Sequence, residues 1–62
     1  MSNKEKYEGK TVEVYSPFGR KLETALLVIE VIDEHCIYGE SKTRGFETAY
    51  DLNDGVTVKV VE

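Results

Sequence analysis

Three groups of side chains in this sequence are of types that can do chemistry. The first is His35-Cys36, which holds the only histidine and the only cysteine of the chain. An imidazole beside a thiol supplies the parts of a nucleophilic site. Neighbours in an extended strand point to opposite faces, however, so His35 is badly placed to activate Cys36. With no second cysteine or histidine, a zinc ligand set is incomplete. The pair reads as a histidine at a turn edge followed by a buried cysteine.

The second group is acidic: Glu30, Asp33, Glu34 and Glu40. Such carboxylates serve general acid/base work or divalent cations, but their spacing matches no calcium loop and nothing nucleophilic accompanies them. They are expected to form a solvated face that keeps a small domain soluble and complements a basic partner. The third group is basic and aromatic: Arg20, Lys21, Lys42 and Arg44, with Tyr15, Phe18 and Phe46. Loop tips of a small barrel converge at one rim, where such a mixture suits stacked single-stranded bases or a protein partner. Gly9, Gly19, Gly39, Gly45 and Gly55 are dispersed at element ends and form no phosphate-cradling motif. No catalytic residue, cofactor or metal is expected.

The elements that must position these groups are few, because the chain has 62 residues. A chain of this size buries only roughly 60% of the surface exposed when unfolded, which leaves little room for both a core and an enclosed cleft. A binding module or an oligomer subunit is therefore expected rather than an enzyme. The composition, 40% hydrophobic and 32% charged, is that of a folded domain. The single thiol suits a reducing compartment and the polar start MSNKEKYEGK is not a signal peptide, so a cytoplasmic location is expected. No apolar run reaches the ~20 residues of a membrane helix.

The net charge of −4 is unevenly spread: residues 23–40 hold five acids and no lysine or arginine. An acidic total works against unspecific binding of nucleic acid, where phosphate attraction dominates.

Residues 1–8 read as a flexible charged arm with Tyr7 as its only anchor, and residues 9–62 as one domain. Thr11 to Tyr15 alternates at period two and ends at Ser16-Pro17-Phe18-Gly19, a strand and a turn. Leu22 to Asp33 holds the longest apolar run. A helix at about 22–33 would align Leu22, Ala25, Leu26, Ile29 and Ile32, but Val28, Ile29, Val31 and Ile32 are β-branched and no cap flanks the segment. A long strand bent near Glu30 is the preferred reading. Asp33-Glu34 reads as a tight turn, His35 to Tyr38 as a short strand, and Glu40 to Gly45 as a polar loop. Phe46 to Leu52 and Val56 to Val61 read as strands on either side of the turn Asn53-Asp54-Gly55. Five strands of this kind predict an all-β chain closed as a small SH3-like or Sm-like barrel.

The order Gly9, Val12, Val14, Gly19, Ile32-Asp33, followed by Asp51-Leu52-Asn53-Asp54-Gly55-Val56-Thr57-Val58, resembles the Sm-like barrel domains. The family's glycine at the bend of the second strand is missing, with Thr24 or Ala25 there, and its RNA-pocket Asn and Arg-Gly signatures have no counterpart. The resemblance implies the fold and, at most, a role linked to RNA; acidic Sm-like regulators that bind a protein are similar in size and charge. The expected function is that of a non-enzymatic regulatory module acting through a protein partner, in gene regulation or as a phage-type inhibitor. Sm-like binding of single-stranded RNA and a homo-oligomeric structural role are the alternatives.

Overall fold

The architecture follows from how one long strand bends. The structure, a computed structural model, describes residues 2–62. Helix α1 (Asn3–Tyr7) precedes strands β1 (Thr11–Tyr15), β2 (Lys21–Ile32), β3 (Cys36–Ser41) and β4 (Phe46–Asp51); a 3₁₀ turn (Leu52–Asp54) then leads to β5 (Thr57–Val60). The helix considered at 22–33 is a strand, as the β-branched residues favour. All pairings are antiparallel, and the sheet order is β4-β3-β2-β1-β5.

Strand β2 is irregular on both sides. Against β1, the pairs Val12↔Leu26 and Val14↔Glu23 leave one extra residue on β2; against β3, Val28↔Gly39 and Glu30↔Tyr38 do so again at Ile29. Each bulge bends the strand and increases its twist, and the second lies where the sequence places a bend. The curled sheet wraps Tyr7, Val12, Val14, Leu26, Val28, Val31 and Ile37, with Leu22, Tyr50, Leu52, Val56 and Val58 packed against them. Gly39 lies inside β3, not at its end, because a Cβ there would sit 2.3 Å from the Leu27 carbonyl oxygen. Strand β3 runs on to Ser41, which leaves residues 42–45 as the turn where a polar loop from Glu40 to Gly45 is expected.

The predicted barrel is not closed. Strands β4 and β5 do not pair, so the sheet is open with β4 and β5 as its edges. The reason lies at Leu52–Gly55: instead of a hairpin turn, Asp51 caps a 3₁₀ turn by accepting from Asn53 N at 2.8 Å, and Gly55 ends it at φ 87°. The chain then crosses over and pairs β5 with β1. The apolar run of β2 is accordingly buried on one face only: Leu26 and Val28 are inside, whereas Leu27 is half-buried and Ile29 is exposed.

Most of the segment read as a flexible arm is helical. Ser2 and Glu5 form a reciprocal capping box, and Tyr7 enters the core. A helix this short is marginal alone, so its anchors come from elsewhere. The Glu34 carboxylate accepts from Asn3 N at 3.0 Å and Lys4 N at 3.2 Å, while Asn3 Nδ2 donates to the Glu34 carbonyl at 2.6 Å. At the other end Glu8 accepts from Val31 N at 3.1 Å. Asp33 and Glu34 form the expected β2–β3 turn with φ of 53° and 66°, a left-handed conformation that side chains rarely adopt. The contacts with α1 hold Glu34 there.

Candidate functional site

The cross-strand register assigns each side chain of β2, β3 and β4 to a face. Ile37, Gly39 and Ser41 are buried along β3, so Cys36, Tyr38 and Glu40 point outward. Their partners share that outer face in three rows: Leu27, Glu40 and Glu47; Glu30, Tyr38 and Ala49; and Ile32, Cys36 and Asp51. The surface so formed mixes carboxylates with half-exposed apolar groups, and Ile29 and Ile32 are 47% and 42% exposed beside it.

Of the four acids expected on one face, Glu30 and Glu40 meet there and Asp33 lies in the adjoining turn. Glu34 does not join them as a free group, because it binds α1. Glu47 and Asp51 complete the face. They were not singled out from sequence, although the alternation of residues 46–52 already set both on the side opposite Phe46. Glu40 and Glu47 stand directly opposite each other, a like-charge pairing that destabilises a sheet. Two neighbours moderate it. Lys42 Nζ lies 3.1 Å from Glu40, and the Tyr38 hydroxyl donates to Glu47, which raises the tyrosine pKa. Cys36 is half-buried on this face, not buried in the core, and His35 Nδ1 lies 3.2 Å from Asp51 Oδ1.

The basic rim is partly assembled. Both turns lie where β2 begins: Ser16 and Arg20 close the β1–β2 turn, and Lys42 N donates to the Ala25 carbonyl at 2.8 Å. The cations, however, are already engaged. Lys21 pairs with Glu13 at 3.3 Å and lies over the Tyr15 ring; Lys42 pairs with Glu40; Arg44 pairs with Glu23 and stacks 4.5 Å from the Phe46 ring centroid. Among the described residues only Arg20 of the four has no carboxylate partner.

Glu23 is the residue that sequence reasoning missed. The first β2 bulge turns it inward, where its side chain is fully buried. Its Oε2 accepts from Arg44 and from the Tyr50 hydroxyl, while Oε1 has no hydrogen-bond partner among the described residues. Burial is the largest influence on this carboxyl and pushes its pKa up. The Tyr50 bond, the nearby Ser41 hydroxyl and the Arg44 guanidinium together outweigh it and hold the pKa below the ordinary glutamate range. Arg44 is thereby a fastener between the β3–β4 turn and β2.

Among the described residues no group of His, Cys, Asp and Glu gathers to hold a metal ion, and no helix is long and apolar enough to cross a membrane. Comparison with models of known families, with curated proteins and with solved structures finds no match in any of the three.

Proposed function

We propose that this chain is a non-enzymatic binding module whose outer β2–β3–β4 face receives a basic segment of a protein partner. The observation that carries the reading is the register that sets Glu40 against Glu47, with Glu30 and Asp51 in the neighbouring rows. An arrangement that costs sheet stability becomes favourable when a cation from a partner lies between the carboxylates. Tyr38, Leu27 and Ile32 supply apolar area beside the charges, the mixture from which interface centres are built. Lys21 and Arg44 are engaged by Glu13 and Glu23, which leaves little of the rim for phosphates, while a partner's cation would share Glu40 with Lys42.

The test is affinity capture from the source organism's extract, using the full chain and a Glu30→Gln/Glu40→Gln/Glu47→Gln variant. A protein retained by the first and lost by the second supports the reading; identical captures, or capture of RNA, contradict it. A regulatory role is the natural use of such a module, and the resemblance to Sm-like domains rests on the order of features along the chain alone.

A second reading has its own observation. Strands β4 and β5 are open edges, and Val60 at the end of β5 and Val61 after it are 38% and 47% exposed. Open edges template strand pairing between copies. A homo-oligomer predicts a defined higher mass by light scattering; a monomer at high concentration removes it.

A further inference from the structure

The β1–β2 turn displays Phe18 with 96% of its surface exposed, far above any other large apolar side chain among the described residues. A phenylalanine so placed contributes nothing to the core. The turn that carries it is nonetheless tightly held. Ser16 N donates to the Arg20 carbonyl at 2.7 Å and Gly19 N to the Ser16 carbonyl at 2.9 Å. The Ser16 hydroxyl oxygen also accepts from Phe18 N at 3.2 Å and Arg20 N at 3.1 Å. Gly19 closes the turn at φ 87°, and Pro17 stands close over Gly55, where a Cβ would meet its ring at 3.2 Å. An aromatic ring on a rigid mount loses little further backbone freedom on binding, which is the economy of a preorganised anchor.

From this we infer that Phe18 is a plug for an apolar recess on a protein partner, with a carboxylate at the mouth of that recess to meet Arg20. Three features define the partner. The described residues form no pocket, so the recess that takes the ring is assigned to a different protein, an adduct with a second copy being the contrary outcome. Arg20 is the one rim cation free of a carboxylate partner among the described residues, and it stands two residues from the ring, so the complementary charge is negative. The chain as a whole carries −4, which opposes a surface dense in phosphates, lipid or nucleic acid, far more than the single carboxylate that Arg20 would meet. The inference uses none of the outer-face carboxylates, so it stands or falls separately from the proposed function.

The experiment places p-benzoylphenylalanine at position 18 of the full chain, and in a control at position 6 on α1, and irradiates each in the source organism's extract. The result expected is a covalent adduct with one other protein from position 18 and none from position 6. Peptide mapping should locate the adduct in an apolar recess bearing an aspartate or glutamate. Phe18→Ala should then bind that protein at least about 30-fold more weakly, with an unchanged urea midpoint because the ring packs on nothing. Arg20→Glu should weaken binding and flatten its loss with added salt, while the Glu30→Gln/Glu40→Gln/Glu47→Gln variant still forms the adduct. Adducts with lipid, RNA or a second copy overturn the inference. So do the same adduct from position 6, no adduct at all, or an affinity of Phe18→Ala within threefold of the parent.

Discussion

Buried Glu23 ties β2 to Tyr50 of β4 and to Arg44 in the β3–β4 turn, and two predictions follow from its environment. Tyr50→Phe removes one of the donors to a buried carboxylate and should cost about 1–3 kcal/mol in urea denaturation. The lowered pKa of Glu23 fixes the sign of its pH dependence. A group depressed on folding contributes stability that is fully present above the unfolded value, about 4.3 for glutamate, and that is lost as pH falls through the folded value. Glu8 and Glu13 are also depressed and have the same sign. Stability should therefore fall on acidification below about pH 4.3, and Glu23→Gln should flatten part of that fall without abolishing it. This residue was illegible in the sequence for a definite reason. Strict alternation with Leu26 and Val28 puts Thr24 inside, and only the bulge, which is set by pairing with β1, exchanges Thr24 for Glu23. Its partners Arg44 and Tyr50 are 21 and 27 positions away.

At the scale of elements, much was legible. The β-branched residues between Val28 and Ile32 identify β2 as a strand, and Asp33-Glu34 marks the hairpin beyond it. Helix α1 is not foreseen in the flexible arm expected over residues 1–8, because a five-residue helix becomes credible only once Glu34 and Glu8 tie it to β2. Glu34→Ala should release α1, seen as lost amide protection at Lys6 and Glu8 while the β2–β3 ladder stays protected. The sequence places Gly39 at a strand end, since glycine usually punctuates strands. Its actual role is to admit the Leu27 backbone, and Gly39→Ala should cost about 3 kcal/mol, at the upper end of overpacking, because the obstruction is main chain and cannot rotate away.

For the whole molecule, the expectation of five antiparallel strands holds and that of barrel closure does not. Closure depends on whether β4 and β5 meet, which the local signal Asn53-Asp54-Gly55 does not determine. The same non-local register assembles the outer acidic face from β2, β3 and β4, so sequence could name Glu30 and Glu40 as a group but not their neighbours Glu47 and Asp51. The most direct measurement of the central claim is a pair of amide chemical-shift titrations on the full chain at low salt. One uses a lysine- and arginine-rich amphipathic peptide and the other a single-stranded RNA oligomer. The peptide is expected to shift the amides of Glu30, Tyr38, Glu40 and Glu47, with the effect weakened by added salt, and the RNA to shift none of them. RNA binding centred on Arg20, Lys42 and Arg44, with the outer face silent to the peptide, would contradict it.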